Sequence, residues 1–172
     1  MKVALTGATG FVGGHLLELA LGDNHSVRAL TRRPQPSRAG VTWVEGALDD
    51  PAALAALVTG ADAVIHVAGV INADAAGFEA GNVTGTAAIL GAAEQAVVGR
   101  FVHVSSLAAR EPTLSLYGGS KARSEALVSA SPLSSAIVRP PRSTARATAR
   151  RSNCSGWRSG DWSCSRRRAG YR

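Results

Sequence analysis

Over the first 138 positions, apolar residues alternate between two patterns: short unbroken runs, and longer stretches in which they recur every three or four residues. Short runs rich in β-branched residues and bounded by Gly, Asp or Asn read as buried strands, and the wider spacing reads as helix. The predicted strands are Lys2–Thr6, Ser26–Thr31, Val41–Glu45, Ala63–Val67, Phe101–Ser105 and Ser135–Val138. The predicted helices are Phe11–Leu21, with Val12, Leu16, Leu19 and Ala20 at helical spacing, then Pro51–Val58, Gly81–Val97 and Tyr117–Ser129. Asp50 and Pro51 form a start signal, because the carboxylate accepts from orphan first-turn amides and proline gives up only an N–H that had no partner. Strands alternating with helices predict an α/β fold with a doubly wound parallel sheet and right-handed crossovers.

Composition adds bounds. A chain of 172 residues with 45% hydrophobic content can bury the core of one domain. No stretch approaches the roughly 20 apolar residues that span a bilayer, and Met1-Lys2 leads straight into strand-like sequence. A cytoplasmic protein without a membrane partner is therefore expected. Cys154 and Cys164 lack His or Cys partners at ligand spacing, so no metal site is expected and free thiols are the simple reading. The net charge of +7 would suggest a nucleic-acid partner if it were spread evenly. It is not: positions 139–172 hold 10 Arg against Asp161 alone, and the preceding 138 residues are slightly acidic.

The segment Thr6-Gly7-Ala8-Thr9-Gly10-Phe11-Val12-Gly13 sits between the first strand and the first helix, the context a dinucleotide fingerprint requires. In such a turn Gly7 permits the tight bend, Gly10 lets backbone amides reach a pyrophosphate, and Gly13 allows helix and strand to touch. Thr9, Phe11 and Val12 complete the expected cofactor-contacting turn of a Rossmann-type domain. The spacing is GxxGxxG, and with it the chain resembles the extended short-chain dehydrogenases/reductases, the NAD-dependent epimerase/dehydratase family, over about residues 1–141.

After the second strand, where NAD-preferring folds carry an acidic residue, stands Thr31-Arg32-Arg33. A guanidinium suits a 2′-phosphate, and dihydroflavonol-reductase-like members are similar in carrying Arg at the Arg32 position, so NADP is the expected cofactor with NAD possible. The alternative is a merely solvated loop pair. Gly46-Ala47-Leu48-Asp49 resembles the family's adenine-contacting segment, which implicates Leu48, although the family's usual Asp is Ala47 here. Ala68 and Gly69, after the fourth strand, are expected to line the cofactor, and the resemblance adds Pro140. His66, within an apolar run, reads as a strand histidine satisfied by its surroundings.

Tyr117-Gly118-Gly119-Ser120-Lys121 places a phenol and an ammonium one helical turn apart on one face. An unperturbed tyrosine titrates near ~10, so an adjacent ammonium is what would let it act as a base at neutral pH. The resemblance implies that Lys121 also bonds the nicotinamide ribose, that Ser106 holds the substrate oxygen and that Asn82 completes a proton-relay group; Asn82 also reads as a helix cap. The activity implied is hydride transfer between nicotinamide and a carbinol or ketone carbon of a small-molecule substrate, as in an oxidoreductase or epimerase. The other class open at this point is a non-catalytic NADP(H)-binding sensor or accessory subunit. Helix-mediated homodimers are a further implication of the resemblance.

The periodicity and the likeness stop together. Where the family continues with a segment like RPPAVYGPGD and a substrate-binding domain, this chain has Arg139-Pro140-Pro141-Arg142-Ser143, then a basic, Arg- and Ser-rich stretch to Arg172 that cannot build a core. Codons exist for Arg142 to Ser165 that, read one nucleotide earlier, give AVYGPGDRETLELFRMALRGLVLL. The expectation is a nucleotide-binding domain at 1–141 without its substrate domain, followed at 142–172 by a disordered or out-of-frame tail. A nucleic-acid-binding arm is the rival, and high-GC sequence read off frame accounts for the composition more simply.

Overall fold

The structure, a computed structural model, describes residues 1–140. The expectations for the 142–172 tail lie outside the described residues.

Six strands form one parallel sheet: β1 (Lys2–Thr6), β2 (Ser26–Thr31), β3 (Val41–Glu45), β4 (Ala63–His66), β5 (Arg100–Val104) and β6 (Ser135–Val138). Their order across the sheet is β3-β2-β1-β4-β5-β6. The chain therefore winds outward in one direction from β1 and then returns to start again at β4, which opens a crevice at the C-terminal ends of β1 and β4. The doubly wound Rossmann-type sheet expected from the strand-helix alternation is the observed fold.

Side-chain alternation along the strands sorts the core into two layers. On one face Ala4, Leu30, Val64 and Phe101 pack under Leu54 and Leu57 of α2 (Pro51–Val58), Ile89 and Leu90 of α4 (Gly85–Gln95), and Val128 of α5 (Leu116–Ala130). On the other face Val3, Leu5, Val27 and Ala29 pack against Leu17 of α1 (Phe11–Gly22). One cap read from sequence takes the expected form, and a second appears in the structure. Asp50 Oδ1 accepts from the amides of Ala52 and Ala53 at 3.0 Å each, and Ser115 Oγ accepts from Gly118 N at 2.9 Å to start α5.

α1, β5 and α5 differ from the sequence reading by one residue at one or both ends, and three further boundaries differ for identifiable reasons. β4 ends at His66 rather than Val67, because the amides of Val67 and Ala68 turn to the Thr6 hydroxyl at 3.1 and 3.2 Å instead of continuing the ladder. The helix expected at Gly81 begins earlier, with α3 (Ala75–Phe78) capped by Asp74, whose Oδ1 accepts from Gly77 N at 2.8 Å. It then widens into a π-helical turn, Glu79–Thr84, before α4. The same helix stops short of Val97, which takes φ +52° as its amide and that of Val98 bond back to Glu94 and Ala93.

Candidate active site

The glycine turn sits at the mouth of the crevice. Gly7 has φ +72°, and a Cβ there would lie 2.8 Å from Ala68 N. A Cβ on Gly13 would lie 2.0 Å from Gly7 O, so α1 crosses the turn too closely for any side chain. Gly10 caps α1 without a side-chain bond, and the first turn holds no acidic residue. Gly10 N donates to Gly7 O at 3.0 Å, and the amides of Phe11, Val12 and Gly13 are left as the orphan donors of the first turn, which is the arrangement that holds an anion such as a pyrophosphate. Thr9, Gly10, Phe11 and Val12 are all exposed around it. The backbone therefore fits a dinucleotide: the space is kept by glycines, and the donors are in place.

At the end of β2, Thr31 Oγ1 donates to Arg33 O at 2.6 Å and folds the loop back on itself. Arg32 and Arg33 stand exposed beyond that bend, and residues 31–38 contain no carboxylate. A cleft of about 390 Å³ separates Thr9, Gly14 and Leu17 from Gln35–Arg38 and Trp43. Leu48, expected at the adenine, is half-buried, packs on the main core and lies over Gly85.

Beyond β4, Gly69 and Val70 rest on Asn82, which is 1% exposed. Its Oδ1 accepts from Val70 N at 2.8 Å, while its Nδ2 donates to Val70 O at 3.0 Å and to Ser120 Oγ at 2.9 Å. Asn82 lies inside the π-helical turn rather than at a helix start, so its side chain braces the Ala68–Val70 segment against α5 and caps nothing.

Ser106 follows β5 and heads a 3₁₀ turn, Leu107–Arg110, its Oγ accepting from Ala108 N at 3.2 Å. Tyr117 lies in the first turn of α5, half-buried, its ring 5.9 Å from that of Phe78 and tilted by 52°. Lys121, one turn on, is 4% exposed and donates from Nζ to Val104 O at 3.0 Å. Burial lowers its pKa from the ordinary 10.5 to about 8, against a smaller opposing effect of Glu125. The sheet edge thus places Ala68, after β4, against Gly7 of the glycine turn, and Ser106 with the seat of Lys121 at the end of β5. Pro140, half-buried, follows two residues after β6.

Sequence reading did not anticipate the polar groups beneath this surface. His103 of β5 is fully buried, with Nε2 at 3.2 Å from Ser124 Oγ and 3.5 Å from Lys121 Nζ, and its Nδ1 meets no partner. Burial, and secondly the Lys121 charge, lower its pKa to about 3. Its ring stacks at 5.4 Å on that of His66, whose pKa burial also holds well below the imidazole range. Glu125 is paired by Arg139, Nε to Oε1 at 2.8 Å. Among the described residues no His, Cys, Asp or Glu cluster could hold a metal, and no helix is long and apolar enough to cross a membrane.

Residues 7–166 match the profile of the NAD(P)H-binding family. A ceramide reductase of Caulobacter vibrioides is 46% identical over 144 residues, which is 81% of this chain and 45% of that protein. A 3 beta-hydroxysteroid dehydrogenase/Delta 5-->4-isomerase of Mycobacterium tuberculosis is 34% identical over 116 residues, covering 61% of this chain and 31% of the relative. Among solved structures, a short-chain dehydrogenase/reductase superfamily protein of Agrobacterium tumefaciens with bound NAD superposes with TM-score 0.71 at 29% identity, over 81% of this chain and 48% of that one. The Bordetella bronchiseptica enzyme WbmH in complex with NAD+ gives TM-score 0.72 at 26% identity, over 80% and 55%. The chain spans less than half the length of these curated relatives.

Proposed function

The chain belongs to the NAD(P)H-binding family, with structural neighbours in the short-chain dehydrogenase/reductase superfamily, and on that premise we propose that it is the nucleotide-binding and proton-transfer part of an oxidoreductase acting on a secondary alcohol or its ketone. One observation carries this reading furthest. A glycine-kept anion cradle follows β1, and Ser106 and the seat of Lys121 on Val104 O follow β5, at the same C-terminal edge of one parallel sheet. Pure binding needs only the cradle.

Bound nicotinamide dinucleotide supplies the hydride donor or acceptor. The residues do the rest. The amides of Phe11, Val12 and Gly13 in the first turn of α1 would hold the pyrophosphate, and Lys121, seated on Val104 O, would donate toward the ribose. Ser106 orients the substrate oxygen. Tyr117 takes the hydroxyl proton during oxidation and returns it during reduction. Arg32, free of any neighbouring carboxylate in its loop, selects the 2′-phosphate of NADP over NAD, although the neighbours named above carry NAD. The names of the relatives, a ceramide reductase and hydroxysteroid dehydrogenases, favour a lipid-like ketone or carbinol as substrate class.

The test is a Tyr117→Phe variant assayed for oxidation of NADPH with such ketones. Loss of hydride transfer with cofactor affinity retained supports the reading. Equal turnover in both proteins refutes the proton role. Tight cofactor binding without turnover in the unmodified chain favours the sensor or accessory subunit instead.

A further inference from the structure

Five residues, each at most 1% exposed, run as a line of hydrogen bonds beneath the crevice floor: Thr6, His66, Thr86, Asn82 and Ser120. Register puts Thr6 of β1 directly beside His66 of β4. Thr6 Oγ1 bonds His66 Nδ1 at 2.7 Å, and His66 Nε2 bonds Thr86 Oγ1 at 3.0 Å. The directions are fixed by what each hydroxyl does elsewhere. Thr86 Oγ1 spends its proton on Asn82 O at 2.6 Å, so it must accept from His66 Nε2–H. His66 is thereby the Nε2–H tautomer, its Nδ1 accepts, and Thr6 donates to it while accepting from Val67 N and Ala68 N. On the far side Asn82 Nδ2 donates to Ser120 Oγ, which donates to Tyr117 O at 2.8 Å. The five bonds Thr6 to His66, His66 to Thr86, Thr86 to Asn82, Asn82 to Ser120 and Ser120 to Tyr117 are all donated in one direction, from the foot of the glycine turn to the backbone of Tyr117.

We propose that His66 is a positioning residue that locks the glycine turn, the Ala68–Val70 segment and the Tyr117 helix into one register, so that the two halves of a dinucleotide meet both sides of the crevice at once. The proposal rests on the cofactor reading above. The neutral imidazole, with one accepting and one donating nitrogen, links two hydroxyls that are fixed on different elements. From Thr6 through His66 to Thr86 and the Asn82 carbonyl each bond polarises the next, and the Asn82 side chain then ties the same residue to Ser120. The π-helical turn that carries Asn82 is of a type frequent at functional sites.

The experiment compares the unmodified chain, His66→Phe and His66→Gln, where Phe keeps a planar ring with no polar atom and Gln keeps one acceptor and one donor. NADPH, which needs both sides of the crevice, and ADP, which needs the glycine turn alone, are titrated into each. Two lost net hydrogen bonds correspond to about a tenfold change. The expected result for Phe is about a tenfold loss for NADPH with ADP changed by less than about twofold, and substantial recovery in Gln. Equal losses for both ligands, or none for NADPH, overturn the proposal. Should the unmodified chain bind neither nucleotide, the functional reading fails separately, and amide NMR decides this one. Shifts in His66→Phe that reach both Gly7–Gly10 and Gly118–Lys121 support the line, and shifts confined to β4 and its immediate neighbours overturn it.

Discussion

Replacing Lys121 with methionine should stabilise the chain at neutral pH and remove a distinctive pH dependence. The ammonium is held at 4% exposure with Val104 O as its close acceptor, and burial brings its pKa from 10.5 to about 8. That difference corresponds to about 3 kcal/mol by which the charged form is penalised in the folded state. A lowered lysine pKa means that the unfolded chain holds more protons between pH 8 and 10.5, so stability rises with pH across that window and the penalty is fully present below it. The variant also forfeits one hydrogen bond, worth roughly 1 kcal/mol net, so its advantage at pH 7 should be about 2 kcal/mol. By pH 9.5 the wild-type penalty should have fallen by about 2 kcal/mol and the two proteins should be nearly equal. Urea unfolding followed by circular dichroism at the two pH values measures this directly, using the difference between the proteins to cancel all other titrations. A difference that stays constant or grows with pH would refute the reasoning and show that the ammonium is well solvated. The expected stability gain from deleting a proposed active-site residue is the usual sign of a group kept for chemistry rather than for folding.

Acid should weaken the fold through the buried imidazoles. The pKa of His103 falls to about 3 on folding, so its stability contribution is intact above about pH 6.5 and shrinks as pH falls toward 3, with about 2 kcal/mol lost by pH 5; His103→Asn should flatten that slope in urea titrations between pH 8 and pH 5. Val97 holds φ +52° with 85% of its surface exposed, so Val97→Gly should raise stability by about 1 kcal/mol, read as a higher melting temperature. Gly13→Ala places a methyl 2.0 Å from Gly7 O and should cost at least about 2 kcal/mol while abolishing nucleotide binding, checked by the same melt with and without NADPH.

The parts of this fold legible in the sequence were those specified by local signals. β1, β2, β3, α2 and β6 have the ends their periodicity and caps announce, because an apolar run, an Asp-Pro start or a glycine turn acts within a few residues. The π-helical turn was hidden, since Gly77, Gly81 and Asn82 dilute the apolar spacing and nothing local distinguishes a widened turn from an α-helix. Lys121 and Tyr117 could be placed on one helical face from their spacing, but not the seating of Lys121 on β5, which depends on how α5 docks. His66 shows the limit most clearly. The run Val64-Ile65-His66 reads as strand, yet its partners Thr6 and Thr86 lie 60 and 20 residues away and become visible only once β1, β4 and α4 are packed.

The central claim, that the crevice holds a nicotinamide dinucleotide with Arg32 on its 2′-phosphate, is tested most directly by titrating the folded chain with NADPH and with NADH at fixed salt, alongside Arg32→Ala. Saturable binding is expected, tighter for NADPH, with Arg32→Ala losing about tenfold or more for NADPH and almost nothing for NADH, the value of one charge-assisted contact. A folded chain that binds neither nucleotide, or binds both equally whether or not Arg32 is present, would contradict it.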